Sequence, residues 1–227
     1  MGTGAVGVAG LGTVSGASRR SDGDAGVESL SGNGKREAVA IARDTPEFEL
    51  LRNELEEEYS YRLDQSKTQV FEGDDDDGNP YHVVSFHPVS TGVPEDSSEV
   101  DLAITLKHSS FYDAGATITE YEGESGTVTL LTTSGGVVET ESAALGRSVS
   151  SDAVTVQSSC SICRDVSTVI CNRGCSLGGA TLCAIAGFGT IGSIACAAVV
   201  NELCRRYGGN IRQTCRRSNL CNLSGIC

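Results

Sequence analysis

The stretch 160-CSICRDVSTVICNRGCSLGGATLC-183 holds five of the ten cysteines of this 227-residue chain. The other five follow it, and residues 1–159 contain none. An even, dense set of cysteines in a short segment is typical of a disulfide framework formed in an oxidising compartment. We therefore predict that residues 160–227 form a small domain whose cysteines are all bridged, with the pairing left open. The ten are Cys160, Cys163, Cys171, Cys175, Cys183, Cys196, Cys204, Cys215, Cys221 and Cys227.

The motif Cys160-Ser161-Ile162-Cys163 admits three chemistries. A thiol redox site needs a surrounding βαβ pattern, which this tail lacks, and zinc sites usually pair two such motifs. The tail has one CxxC motif and no histidine, so structural disulfides are favoured. The spacing of Cys160, Cys163, Cys171 and Cys175 fits one face of a helix. It predicts an all-α, disulfide-rich domain in which bridges run from that face to neighbouring helices.

A charge-free stretch, residues 174–201, lies inside this tail. It is long enough for a membrane span, which takes about 20 residues, but Gly178-Gly179 and Gly187-Phe188-Gly189 break it into shorter helices. Two interpretations stay open, a buried helical hairpin and an apolar surface that enters a target membrane. The candidate membrane-contact residues are Leu182, Ile185, Phe188, Ile191, Ile194, Val199, Arg205 and Arg206.

Charge divides the chain at the same place. Residues 1–159 carry ten Lys and Arg against 28 Asp and Glu, whereas residues 160–227 carry seven Arg against Asp165 and Glu202. The lysine-poor acidic leader is typical of proteins from concentrated salt, although an ordinary acidic pro-region has the same balance. A basic tail beside an apolar segment suits an anionic lipid surface. No nucleic-acid partner is expected, because stacking groups are nearly absent.

The leader is predicted to hold an α+β domain, residues 35–142, with one or two helices packed on a small antiparallel sheet. Asp44-Thr45-Pro46-Glu47 predicts a helix start with Asp44 as the N-cap, after a shorter apolar-periodic stretch at residues 37–43. Alternating apolar and polar positions predict strands at Val100, Leu102, Ile104 and Leu106, and at residues 126–134 and 136–141.

We predict no catalytic site, metal site or cofactor, and therefore no enzyme. The acidic run at residues 74–79 lacks the alternating ligands and distal glutamate of a calcium loop, so a turn between strands is favoured. His82 and His87 would point to opposite faces of a strand. No local motif combines Ser, His and Asp as a hydrolase would require.

Residues 1–34 are expected to be the remnant of an export signal followed by a disordered linker. Residues 1–18 are uncharged and end in small residues that a signal peptidase accepts, although a disordered glycine-rich terminus is the alternative. Weak, glycine-rich apolar segments are typical of twin-arginine signals, so we expect the true start upstream. The serine-rich residues 143–159 are predicted to be an exposed linker, where cleavage near Ser151 releases the tail.

The cysteine pattern resembles that of the microhalocins of haloarchaea, in particular the halocin C-eight type. The features that carry this resemblance are Cys160-x2-Cys163-x7-Cys171-x3-Cys175-x7-Cys183, then Cys196-x7-Cys204, and Cys221-x5-Cys227 with an asparagine after Cys221. The Gly-, Ile- and Ala-rich spacer between Cys183 and Cys196 is also similar. The resemblance covers about a third of the chain. The segment from Cys204 to Cys221 departs from the pattern in length, and its arginines make it more basic.

The resemblance implies a precursor that uses the twin-arginine export machinery and is cut by a processing protease. The released tail would be a secreted antimicrobial peptide that acts on the target-cell membrane of related archaea. The leader domain would be an immunity protein that binds the peptide, and its retention at the cell surface or membrane is left open. The alternative is a secreted, non-toxic disulfide-rich binding or inhibitor module with an N-terminal folding pro-domain.

Overall fold

The described part of the chain forms one antiparallel sheet with helices on both of its faces. The computed structural model describes residues 27–74, 78–91, 98–123, 125–145, 156–188, 194–217 and 219–227. Within these ranges seven strands lie side by side in chain order, each antiparallel to the next. They are β1 (Glu28–Ser29), β2 (Tyr61–Asp74), β3 (Pro80–Ser90), β4 (Ser98–Lys107), β5 (Ser110–Glu122), β6 (Ser125–Ser134) and β7 (Val137–Leu145).

The sheet is larger than the sequence predicts. The expectation of a small sheet carrying one or two helices was wrong in its proportions, since the N-terminal region is mostly strand. The reason lies in strands such as β2, whose 14 residues include few apolar ones and show little alternation. Its register against β3 also shifts between Asp64 and Gln69. A strand with a bulge and a polar surface gives only a weak period-two signal.

Two helices, α1 (Gly32–Arg43) and α2 (Pro46–Glu57), cover one face of the sheet. The predicted helix start is confirmed, but its N-cap is Thr45 and not Asp44. The Oγ1 atom of Thr45 accepts a hydrogen bond from the Phe48 amide at 3.2 Å. Pro46 is the first helical residue, so the residue before it, Thr45, is the N-cap. Helix α2 contacts both β2 and β6, so the sheet curls around it.

The C-terminal part of the chain is helical and lies on the other face of the sheet. Its helices are α3 (Val156–Arg173), α4 (Gly179–Ile185), α5 (Ile194–Tyr207), α6 (Ile211–Arg217) and α7 (Leu220–Ser224), with a 3₁₀ turn at Gly208–Asn210 between α5 and α6. The predicted break of the charge-free stretch into shorter helices is confirmed. Helix α4 packs on β3, β4 and β5, and α5 packs on β6 and β7. Helices α3, α6 and α7 lie outside them.

Several predicted boundaries fall at or near the limits of the described ranges. Strand β1 and the start of α1 lie inside residues 1–34, and β7 reaches Leu145 while α3 begins at Val156. The predicted export remnant at residues 1–18 and the cleavage near Ser151 lie outside the described residues, and both stay predictions. Below, residues 27–145 are named the sheet domain and residues 156–227 the disulfide module.

Candidate functional site between the sheet domain and the disulfide module

Strand β4 carries the side chain of Asp101 into the interface with the disulfide module. Leu102 and Ile104 point towards α1 and α2, as the alternating pattern predicts. Asp101 and Ala103 point the other way, and both are fully buried. The face of β4 that the alternating pattern predicts to be solvated is therefore covered by the disulfide module.

Asp101 accepts three hydrogen bonds in this interface. Its Oδ2 atom accepts from the Thr181 amide at 2.7 Å, and its Oδ1 atom accepts from the hydroxyls of Thr181 and Ser85, both at 3.0 Å. Burial raises the pKa of Asp101, while the nearby His87 and these hydrogen bonds oppose that rise. Hydrogen bonds to a carboxylate stabilise its charged form, so the donors offset part of the cost of burying it.

The backbone of the module approaches Asp101 so closely that only glycine fits at position 178. A Cβ atom added to Gly178, the residue before α4, would lie 2.1 Å from the Asp101 Cβ. Next to it, the Ala180 amide donates to the Thr117 hydroxyl of β5 at 3.3 Å. The sheet domain thus supplies acceptors to the first turn of α4, whose own amides lack partners within the helix.

The other end of α4 is held by strand β3. The Tyr81 hydroxyl donates to the Ile185 carbonyl oxygen at 3.1 Å, and this tyrosine is buried. Between the two ends, Val83 and Ala103 of the sheet share one apolar cluster with Leu182 of α4. Polar contacts at both ends and apolar contact along the length define a surface shaped for this helix.

Helix α5 makes a second, wholly apolar contact with the sheet. Ile194, Ala197 and Ala198 form a cluster with residues of β6 and β7, which are Val128, Leu130, Ala143 and Leu145. The small alanines let the helix backbone lie close to the strands. Val199 and Leu203 instead belong to the cluster that contains α3.

A cleft of about 710 Å³ opens where the sheet domain meets the end of α5. Glu99 and Tyr121 line it from the sheet, and Arg205 lines it from the module together with the glycines of the 3₁₀ turn. Burial, and then the charge of Asp101, raise the pKa of Glu99 to about 7, although a hydrogen bond from Tyr121 opposes the rise. Burial raises the pKa of Tyr121 to about 12. Titratable groups from both parts of the chain therefore meet at this edge.

A buried carboxylate holds the two arginines that follow the charge-free stretch. Glu202 is 1% exposed, and Arg205 binds its carboxylate through two nitrogens at 3.0 to 3.1 Å. Arg206 also pairs with Glu202, and it donates to the Ser224 carbonyl oxygen at 2.6 Å. Arg206 thereby joins α5 to α7, whereas the pair between Arg205 and Glu202 lies within α5.

The ten cysteines form five disulfides, as the sequence predicts, and their pairing is nested. The first cysteine pairs with the last, and each following pair lies inside the previous one. The bridges join Cys160 to Cys227, Cys163 to Cys221, Cys171 to Cys215, Cys175 to Cys204, and Cys183 to Cys196. Each bridge thus joins the first half of the module to its second half.

The apolar residues among the membrane-contact candidates lie mostly inside the protein, whereas Arg206 is exposed. Leu182, Ile185, Ile194 and Val199 are buried, and Phe188 is half-buried. Ile191 lies outside the described residues. Among the helices that the structure describes, none combines the length and hydropathy that a membrane span needs. Contact with a membrane stays a prediction for a module that has left the sheet.

The residues that join the two parts of the chain give little local signal in the sequence. Asp101, Thr181 and Tyr81 belong to no local motif, and the sequence indicates for Gly178 only a break between helices. One signal was present, namely a lone aspartate within the apolar strand 100-VDLAITL-106. A buried carboxylate needs a partner, and the partner lies 80 residues further along the chain.

Comparison of the chain with protein-family models, with curated proteins and with solved structures found no match. The candidate site therefore rests on the geometry described above.

Proposed function

We propose that the chain is the precursor of a secreted, disulfide-stabilised antimicrobial peptide of the microhalocin kind, which kills related archaea by acting on their membrane. The disulfide module is the peptide, and the sheet domain is its immunity or pro-region. The observation that carries the proposal is that the sheet covers helix α4 and the charge-free first part of α5, residues 194–201.

The covered surface supports a membrane as the target. Fully burying one Leu or Ile side chain contributes about 1.5 to 3 kcal/mol, and Leu182, Ile185 and Ile194 are all buried. When the module leaves the sheet, the face with Ile194, Ala197 and Ala198 loses its apolar cover. Entry of such a face into the apolar boundary of a lipid bilayer is favourable, because it removes apolar surface from water.

The nested disulfides support a peptide that stays folded after release. One bridge typically contributes about 2 to 4 kcal/mol, and all five lie within the module. None joins the module to the sheet domain. Cleavage within residues 146–155 would separate the two parts without breaking a disulfide.

Charge supports an anionic target surface, but only at short range. The tail has seven arginines against two carboxylates. In molar salt the Debye length is about 3 Å, so apolar insertion would supply most of the membrane affinity. The proposal also requires export machinery and a processing protease as partners, with the mature module in the medium.

A spot test of culture supernatant tests the proposal. Supernatant from the producing strain is placed on lawns of related strains and compared with that of a strain lacking the gene. We expect a clear zone that disappears with the gene, and the N-terminal sequence of the active peptide should begin between residues 146 and 160. A zone that persists without the gene would contradict the proposal.

A second experiment separates membrane action from the alternative of a non-toxic binding or inhibitor module. The full oxidised chain receives a site for a sequence-specific protease within residues 146–155, and anionic vesicles are loaded with a fluorescent dye. We expect little dye release by the uncut chain and more after the cut fragments are diluted apart. Equal release before and after the cut would argue against the sheet domain as the inhibitory part.

A further inference from the structure

We propose that the contact of Asp101 with Gly178 and Thr181 determines which peptide the sheet domain recognises. The inference rests on the proposed function, because it assumes that the sheet domain holds the module as an immunity or pro-region. It goes further by naming the residues that give the recognition its selectivity. It also predicts a peptide that escapes recognition through one added methyl group.

The backbone conformation at position 178 does not require glycine. Gly178 has φ −68° and ψ 169°, an extended conformation that any L-residue adopts. The three heavy atoms nearest to an added Cβ all belong to Asp101 of the sheet domain, at 2.1, 2.6 and 2.8 Å. The closest contacts that exclude a side chain at this position therefore come from the sheet domain.

Asp101 cannot move aside without losing its partners. The closest atom is its Cβ, which is fixed to the backbone of the central strand β4, and its carboxylate is held by Ser85 and Thr181. A side chain at position 178 would have to push α4 away from the strand. That shift would lengthen the bond from the Thr181 amide, which is the shortest contact that Asp101 makes in the interface.

Thr181 adds a second element of selectivity. It is fully buried and presents both an amide and a hydroxyl to the same carboxylate. Replacement by valine keeps the shape and the amide but removes the hydroxyl. A buried acceptor that loses one donor costs binding affinity, so Thr181→Val should weaken recognition less than Gly178→Ala does.

The test uses the full oxidised chain with the protease site within residues 146–155 described above. After the cut, size-exclusion chromatography at decreasing concentration measures whether the two fragments stay together. Ser161→Ala is the control, because Ser161 is an exposed residue of α3, which lies outside the helices that pack on the sheet. Mass measurement after alkylation verifies in every variant that all ten cysteines remain bridged.

We expect the fragments of the unchanged chain and of Ser161→Ala to elute together. Gly178→Ala should raise the dissociation constant on the order of 10- to 100-fold, which is the range that overpacking of a close contact produces. Thr181→Val should raise it about 10-fold. All variants should give no alkylated thiol, since no bridge lies in the altered contact.

Co-elution of the Gly178→Ala fragments down to the same concentration as the unchanged chain would overturn the inference. Failure of the proposed function would give a different experimental result. In that case Gly178→Ala dissociates as expected, but neither the freed module nor the culture supernatant inhibits growth. If both hold, the Gly178→Ala module should inhibit growth even when the sheet domain is present in excess.

Discussion

The hydroxyl of Tyr81 donates a hydrogen bond to the carbonyl oxygen of Ile185, so strand β3 holds the C-terminal end of the helix whose N-terminal end meets Asp101. The two contacts lie at opposite ends of α4, which spans seven residues. A short helix held at both ends by side chains of one sheet cannot slide or turn on that sheet. The sheet domain thereby fixes the position of the module.

Tyr81→Phe should destabilise the full oxidised chain by about 1 kcal/mol, because it removes the donor and keeps the packing. In a chain of this size the midpoint of thermal unfolding should fall by about 2 to 4 °C. Tyr112→Phe is the control, since Tyr112 is 54% exposed and its change should leave the midpoint in place. Equal midpoints for Tyr81→Phe and the unchanged chain would show that the contact contributes nothing.

Glu202→Gln should destabilise the module by about 3 kcal/mol. The carboxylate is buried and bound by Arg205 and Arg206, and removing one partner of a buried pair leaves the other charges without compensation. Glu49→Gln removes an exposed partner of Arg52 and should change the free energy of unfolding by less than about 1 kcal/mol. Denaturant unfolding of the oxidised chain measures both, and similar losses for the two variants would contradict the expectation.

Local patterns predicted the helices and several strands, because those signals lie within a few residues. Pro46 and the apolar positions Phe48, Leu51 and Leu55 suffice for α2, and the cysteine count suffices for five bridges. Nesting of the bridges could not be predicted, since ten cysteines allow many pairings. The pairing depends on how α3 lies against α5, α6 and α7.

The candidate site escaped prediction for a related reason. An alternating strand such as β4 usually has one buried and one solvated face, and the sequence does not say what covers the second face. Asp101 there meets Thr181, 80 residues away, and neither residue has a local pattern. The opposite net charges of leader and tail are compatible with an interface between them. The contacts that form this interface, however, come mainly from apolar side chains and from the buried carboxylate of Asp101.

The stability of the chain should fall as pH rises from about 4.5 to 7. Glu99 has a pKa of about 7 in the folded protein against 4.5 as the ordinary value. The folded state therefore binds the proton more tightly than the unfolded state does. The stability that this difference contributes is lost as pH rises through 7. Asp101, whose pKa is also raised, acts in the same direction. The opposing neighbours are Tyr121, which donates to Glu99, and His87, which faces Asp101.

Glu99→Gln removes the proton-binding group and should flatten this part of the profile of unfolding free energy against pH. Glu122→Gln, an exposed change on β5, should leave the profile unchanged. Thermal or denaturant unfolding of the full chain at half-unit steps of pH gives the comparison. A rise in stability from pH 4.5 to 7 that Glu99→Gln removes would show that the pKa of Glu99 moves in the other direction.

The outermost disulfide should be the first to open under mild reduction. Cys227 is exposed and Cys160 is half-buried, whereas Cys163, Cys221, Cys183 and Cys196 are buried. Thiol exchange requires a thiolate to reach the sulfur, so access and not loop length sets the order. Alkylation during stepwise reduction, followed by mass mapping, should label Cys160 and Cys227 first. The Cys183 and Cys196 pair should stay unlabelled until the module unfolds, and its early labelling would mean that α4 and α5 separate from the sheet in the intact chain.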